Sequence, residues 1–160
     1  QRIRAEGLPM PASATCLSPW ADLTGSGTSV RLNARRDPML PARRLREAAE
    51  LYAPEQDHRD PLVSPLFADF AGFPPLSLYV GSTEILLDDA VRVADRARAA
   101  HVPTRLVIAK RQAHVYPLFG PLVPEARDAL AEIGRFVLQQ WVRSAEAAAS
   151  AGRSSGRAAA

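Results

Sequence analysis

The chain has 160 residues, 47% of them hydrophobic, which suits a single folded domain and excludes disorder along its whole length. One cysteine excludes an internal disulfide framework and favours a reducing, cytoplasmic setting. The sequence shows neither a secretory signal nor an apolar run of roughly 18 residues that could span a membrane. The formal charge of +3 rests almost wholly on arginine, and the densest basic run, residues 35–46, has no interleaved aromatic side chains, so nucleic-acid binding is not expected.

The first half of the chain predicts one strand and one helix joined by loops. Residues 12–17 form a short apolar run that is typical of a buried strand. A loop rich in Gly, Ser and Thr follows at residues 24–28. Pro41 suits the first turn of a helix, which continues with apolar residues at helical spacing as far as Tyr52. Residues 55–60 are polar throughout and predict an exposed loop.

The second half predicts two further strands that alternate with two helices. Residues 76–80 and 105–109 are compact apolar runs that favour strands, and a helix is expected between them from Asp88. A last helix is expected from Pro124, with an apolar face made of Ala126, Leu130, Ile133, Phe136, Val137 and Trp141. Residues 144–160 are rich in Ala, Ser, Gly and Arg, so we predict a disordered tail after a domain of residues 1–143.

This order of elements predicts the α/β class, with a parallel sheet and flanking helices. Strands that alternate with helices of this length are typical of βαβ units, whose right-handed crossovers place the helices on the faces of the sheet. Ligands of such sheets bind beyond the carboxyl ends of the strands. Because Glu84 follows the end of one predicted strand and His114 follows the next, we expect both side chains at the same edge of the sheet.

Glu84 and His114 are the candidate catalytic residues. A loop at the end of a strand gives a general base access to a substrate, and a neighbouring carboxylate can accept a hydrogen bond from the imidazole. The plainer alternatives are a packing histidine and a turn glutamate. Asp88 and Asp89 compete for the role of the acid, although two acids in the first turn of a helix are explained by the helix dipole. Glu84 is therefore favoured over Asp88.

The sequence does not supply a convincing nucleophile. Residues 152–156 (GRSSG) match the pattern G-x-S-x-G, but a nucleophile elbow needs a strand before it and a helix after it, and its serine precedes the acid and the histidine. Cys16 lies in an apolar run without a basic neighbour, which predicts a buried hydrophobic residue. His58, His101 and His114 share no ligand spacing, so neither a metal nor another cofactor is expected.

Six stretches, taken together in their order and spacing, form a pattern that is specific for one protein family. They are residues 17–24 (LSPWADLT), 37–40 (DPML), 60–66 (DPLVSPL), 72–76 (GFPPL), 80–89 (VGSTEILLDD) and 113–115 (AHV). In these stretches the chain resembles the hormone-sensitive-lipase branch of the α/β-hydrolases, also called α/β-hydrolase fold-3 proteins. The resemblance spans about residues 5–143.

The resemblance implies hydrolysis of a small-molecule carboxylic ester through a serine nucleophile, an acyl-enzyme and a backbone oxyanion hole. It implies that Glu84 is the catalytic acid, where many relatives have aspartate, and that His114 is the base. Lys110 and Arg111 stand where relatives usually have Pro-Gly. Arg111 is therefore expected to strain the turn if this position needs a positive φ.

The family's oxyanion glycine motif and serine elbow lie upstream of the stretches that this chain contains. We therefore interpret the chain as the C-terminal portion of an α/β-hydrolase, with the last three strands of the sheet, and expect it to be inactive alone. Its first strand should present an open apolar edge. The alternatives are a non-catalytic remnant that acts as an interaction module, or a chain completed by a separate one. The sequence determines neither the ester preference nor the oligomeric state.

Overall fold

A three-stranded parallel sheet lies at the centre of the described residues, in the order β1-β2-β3. Its strands are β1 (Ala14–Leu17), β2 (Leu76–Gly81) and β3 (Thr104–Ala109). The computed structural model describes the backbone of residues 1–158 and the side chains of residues 1–150. The predicted parallel α/β architecture is confirmed, and the predicted strands differ from the observed ones only at their ends.

Helices follow each strand and cover both faces of the sheet. The described α-helices are α1 (Arg2–Ala5), α2 (Thr28–Leu32), α3 (Ala42–Tyr52), α4 (Leu87–Ala99) and α5 (Pro124–Ala158), and two 3-10 helices span Pro65–Phe67 and Tyr116–Leu122. The sequence predicted α3, α4 and α5 but neither α2 nor the two 3-10 helices. Among residues 1–158, no helix combines the length and the apolar character that crossing a membrane requires.

The central strand β2 is buried along its whole length because both of its faces are covered. Leu78 and Val80 belong to the core that contains the buried face of α4. Tyr79 points to the opposite face, where it packs with Tyr116 and the first turns of α5. This alternation is what a pleated strand dictates, and it holds the carboxyl end of β2 in a fixed position.

The predicted apolar face of α5 is only partly correct. Ala126, at the start of the helix, is buried beneath Tyr79 and Tyr116. Farther along the helix, Val137 is 44% exposed and Trp141 is 66% exposed. The three described strands provide a surface for the first turns of α5 only, so the later apolar residues extend beyond it.

The last helix continues through the stretch that the sequence predicted to be a disordered tail. It extends to Ala158, and all side chains from Trp141 to Ser150 are exposed. Alanine is the strongest helix former, which accounts for the helical backbone of this Ala-rich stretch. Residues 159–160 lie outside the described part of the chain, and both the boundary at Arg143 and a tail that is disordered in solution stay predictions.

As predicted, β1 lies at an edge of the sheet, and among the described residues no strand pairs with its other side. An apolar groove of about 300 Å³ opens beside this edge. Its lining includes Ile3, Met10, Cys16, Trp20, Phe70 and Phe73. Cys16 is half-buried and packs against the core on the α4 side, so its predicted role as a packing residue agrees with its position.

Two buried carboxylates fasten the loop after β1 to α4. Asp22 accepts hydrogen bonds from both Thr24 and Ser26 and pairs with Arg92, whose Nη1 lies 2.9 Å from Asp22 Oδ2. Burial raises the pKa of Asp22, but these hydrogen bonds outweigh burial and leave the pKa below its usual value. Asp89 Oδ2 accepts the backbone N–H groups of Ala21 and Asp22 at 2.8 and 2.9 Å.

We expect the natural chain to become less stable as the pH rises and Asp89 ionises, and we expect the Asp89→Asn variant to lack this pH dependence. Burial raises the pKa of Asp89 from 3.8 to about 6, so the folded chain holds a proton that the unfolded chain releases. The stability that depends on this proton is complete below about pH 4 and is lost as the pH rises through about 6. The difference of about two pKa units corresponds to about 3 kcal/mol in the free energy of unfolding.

Urea denaturation at several pH values between about 4 and 8 measures this effect. As the pH rises across this range, the natural chain should lose about 3 kcal/mol of its free energy of unfolding relative to the Asp89→Asn variant. Asp95→Asn is the matched control because Asp95 lies on the same helix with a 65% exposed side chain. An equal shift in the two variants would contradict the assignment to Asp89.

Candidate active site

Glu84 and His114 meet at the carboxyl edge of the sheet, as their positions after β2 and β3 predicted. Oε2 of Glu84 lies 2.9 Å from Nδ1 of His114. The glutamate side chain is fully buried, whereas 20% of the histidine side chain is exposed. A carboxylate at Nδ1 favours the tautomer that carries its proton there, which leaves Nε2 as the basic nitrogen. The pair can therefore accept a proton at Nε2 and stabilise the resulting imidazolium.

The competing acids Asp88 and Asp89 make other contacts. Asp88 Oδ2 accepts the backbone N–H of Ser29 at 3.0 Å, and Asp89 binds the loop after β1. Both lie in the first turn of α4, as the sequence predicted. Of the candidate acids, Glu84 is thus the one that the fold brings to His114.

Ser18 is a residue of this site that the sequence analysis missed. It follows the carboxyl end of β1 and is only 3% exposed. Its Oγ donates to Glu84 Oε1 at 2.7 Å and accepts the backbone N–H of Val115 at 2.9 Å. Like Glu84 and His114, Ser18 follows the carboxyl end of a predicted strand, and this position is the sequence signal that identifies it.

The geometry of Ser18 is not that of a nucleophile. Its hydroxyl proton is directed at Glu84 rather than at the imidazole of His114. Among the described side chains, none forms a hydrogen bond with Nε2 of His114. Burial raises the pKa of the Cys16 thiol, which disfavours the reactive thiolate.

The literal G-x-S-x-G pattern at residues 152–156 lies within the backbone of α5. A nucleophile elbow is instead a strained turn between a strand and a helix. The side chain of Ser154 lies outside the described residues. In the described part, no group of three or more His, Cys, Asp or Glu side chains is placed to hold a metal ion.

The turn after β2 and the loop after β3 are in direct backbone contact. A Cβ atom at Gly81 would lie 2.0 Å from the carbonyl oxygen of Gln112, so only glycine fits there. Thr83 Oγ1 donates to the same carbonyl at 2.7 Å, and Ser82 Oγ accepts the backbone N–H of Arg111 at 2.8 Å. These contacts fix the separation of the two segments that carry Glu84 and His114.

The loop that carries His114 has two residues with left-handed backbone conformations. Arg111 has a φ of 57°, so the position that the resemblance assigns to glycine does require a positive φ. Val115 has a φ of 50°, which is rare for a β-branched residue. Such conformations cost about 1–2 kcal/mol each, and they persist only where the surroundings hold them.

The backbone around Glu84 is held from the other side by the segment that follows α2. The side-chain amide of Asn33 donates to the carbonyl groups of Ser82 and Glu84 at 3.3 and 2.8 Å. Asp37 Oδ2 accepts the backbone N–H of Ile85 at 2.9 Å. Neither residue was identified from sequence as part of the site, and together they hold the backbone of the turn that carries Glu84.

An apolar cleft of about 270 Å³ opens beside His114. Helix α3 forms one wall, and the lining consists of Ser18, Trp20, Leu40, Pro41, Arg44, Leu45, Ala48 and Leu86 in addition to the histidine. Its size suits a short alkyl or acyl group. The imidazole thus lies at the border of a cavity that can hold part of a small molecule.

Comparison with known proteins agrees with this arrangement. The model of the alpha/beta hydrolase fold family matches residues 1–118. An acetyl-hydrolase of Streptomyces hygroscopicus is 39% identical over 137 residues, which cover 86% of this chain and 46% of the relative. An esterase of Acinetobacter venetianus is 35% identical over 136 residues, covering 84% of this chain and 45% of the relative.

A solved structure shows the same likeness. The crystal structure of an esterase from the bacterial hormone-sensitive lipase family superposes with a TM-score of 0.84 and 42% identity, over 87% of this chain and 47% of the other. The chain thus spans about half the length of the proteins that it matches.

Proposed function

The chain belongs to the α/β-hydrolase fold family, and on this basis we propose that it contributes the acid and the base of a carboxylic-ester hydrolase. The observation that carries the proposal is the 2.9 Å contact between a fully buried Glu84 carboxylate and Nδ1 of His114. Relatives named as an acetyl-hydrolase and an esterase support the same reaction class.

In the proposed mechanism, His114 acts twice through Nε2. It first removes the proton from a serine hydroxyl as the oxygen attacks the ester carbonyl, and it then returns this proton to the departing alcohol. In the second step the same nitrogen removes a proton from a water molecule as it attacks the acyl-enzyme, and it returns this proton to the serine oxygen as the carboxylic acid leaves. Glu84 holds the imidazole in the required tautomer and stabilises its protonated form during both steps.

The serine of this mechanism is not among the described side chains that contact His114. From the family resemblance, we propose that this serine and the oxyanion hole belong to a segment that precedes the stretches present here. We therefore propose that residues 1–160 alone do not hydrolyse esters. The substrate that we propose is a small-molecule ester, since the cleft beside His114 offers about 270 Å³ of mostly apolar space.

Hydrolysis of p-nitrophenyl acetate and butyrate by the purified chain tests this proposal. We expect neither the chain nor its His114→Ala variant to exceed the rate in buffer. Loss of the nucleophile lowers kcat by about 10⁶-fold, and the oxyanion hole that supplies the residual activity of a triad-deficient enzyme is proposed to be missing as well. The Acinetobacter venetianus esterase serves as the positive control. Activity that His114→Ala abolishes would contradict the proposal, and Ser18→Ala and Ser154→Ala would then locate the nucleophile.

An interaction module is the second candidate function, and the open edge of β1 beside an apolar groove favours it. A partner of this kind would add a strand to β1 and cover Cys16 and its neighbours. Such binding would not need the imidazole, so His114→Ala would leave it unchanged. A cytoplasmic location, inferred from the single cysteine, and the absence of nucleic-acid binding stay predictions.

A further inference from the structure

Ser18 is the point at which the ends of all three described strands are joined. It follows β1, and its backbone N–H donates to the carbonyl of Tyr79 in β2 at 2.7 Å. Its Oγ donates to Glu84 after β2 at 2.7 Å and accepts from Val115 after β3 at 2.9 Å. Because the residue is buried, water does not compete for these hydrogen bonds.

The hydroxyl of Ser18 donates a hydrogen bond to the carboxylate oxygen of Glu84 that does not face the imidazole. Oε1 accepts from Ser18 and from the backbone N–H of Gly81, which leaves Oε2 for His114. Hydrogen bonds to a charged acceptor are stronger than neutral ones, so the carboxylate cannot easily rotate out of this arrangement. The same hydroxyl holds the N–H of Val115, the residue directly after His114, and so fixes the loop at the base as well.

Backbone conformation alone does not explain a serine at position 18. Its φ is 47°, a region in which glycine is preferred and most other residues are strained. Val115, the partner of its hydroxyl, also has a positive φ of 50°. Two strained residues joined by one hydrogen bond indicate that the hydroxyl holds a conformation that the loop would otherwise leave.

We propose that Ser18 is a positioning residue that holds the carboxylate of Glu84 and the imidazole of His114 in their mutual orientation, an inference that rests on the proposed function of this pair. Ser18 does not touch the substrate or exchange a proton with it. It acts by keeping Nδ1 of His114 protonated and Nε2 free, which is the form that a general base needs.

The test measures the tautomer of neutral His114 in the full chain by ¹H and ¹⁵N NMR of the imidazole. In the natural chain we expect the Nδ1–H form to exceed the Nε2–H form by about tenfold or more, the ratio that one hydrogen bond to a charged group sustains. Ser18→Ala and Ser18→Gly should each lower this ratio several-fold and speed the exchange of the Nδ1 proton with water. Ser18→Gly suits the positive φ and so keeps the fold if the alanine variant does not.

Two control variants separate positioning from stability. Ser77 is also a buried serine, and its Oγ lies 2.8 Å from Oγ1 of Thr15, away from the pair. Ser77→Ala should therefore lower stability without changing the tautomer ratio. Glu84→Ala should abolish the preference for Nδ1–H.

The outcomes distinguish the two proposals. If Glu84→Ala loses the tautomer preference and both Ser18 variants keep it, Ser18 has no positioning role and the proposed function stands. If Glu84→Ala keeps the preference, the contact between Glu84 and His114 does not orient the imidazole, and both proposals are overturned.

Discussion

A chimera that carries residues 1–143 in place of the matching segment of the Streptomyces hygroscopicus acetyl-hydrolase should hydrolyse p-nitrophenyl acetate, and His114→Ala should lower its kcat/KM by about 10⁴-fold or more. The chimera supplies the nucleophile that the described residues do not present to Nε2 of His114. The loss is large because the base and the nucleophile of a triad act as one unit, so removal of either removes most of the rate enhancement.

Glu84→Ala in the same chimera should lower kcat with little change in KM, because the acid acts on the imidazole and not on the bound ester. The size of this loss should be smaller than that of His114→Ala, since a misoriented imidazole retains some basicity.

His101→Asn is the control. His101 is exposed and precedes β3, at the opposite end of that strand from His114, and its positive φ of 60° suits asparagine. An active chimera that tolerates His114→Ala would overturn the proposed role of His114.

Gly81→Ala should destabilise the chain by about 2–4 kcal/mol, a magnitude typical of overpacking against rigid neighbours together with backbone strain. The added Cβ would lie 2.0 Å from the carbonyl oxygen and 2.6 Å from the carbonyl carbon of Gln112, both of them backbone atoms. No rotamer change can relieve this contact, so the loop that carries His114 must shift away from the end of β2. The free energy of unfolding in urea measures the effect.

The matched control is Gly134→Ala. Gly134 lies in α5, and a Cβ there meets no atom within 4 Å apart from its chain neighbours and the nearby backbone of its own helix. Alanine should leave the stability unchanged or raise it by up to about 1 kcal/mol, as expected in a helix. If Gly81→Ala stayed within about 0.5 kcal/mol of the natural chain, the close approach of the two loops would be refuted.

The order of strands and helices could be predicted because its determinants are local. Apolar runs of five or six residues defined the strands, Pro41 and Pro124 lie at the starts of helices, and parallel connections follow from the alternation. The juxtaposition of Glu84 and His114 followed from the same rule, since the carboxyl ends of parallel strands share one edge. Side-chain periodicity was a weaker guide to α5, because exposure there depends on how far the sheet extends.

The tertiary structure decided which of the local candidates meet. Glu84, Asp88 and Asp89 lie within six residues, and only the path of the backbone after β2 shows that Glu84 faces His114 while the aspartates bind elsewhere. Ser18 lies 66 residues before Glu84 in sequence; the strand-end rule can place both at one edge, but only the paired strands show that the Ser18 hydroxyl donates to the Glu84 carboxylate. The sequence determined the elements because short-range sterics and hydrophobic periodicity act along the chain. The site depended on contacts between distant residues, which exist only once the strands have paired.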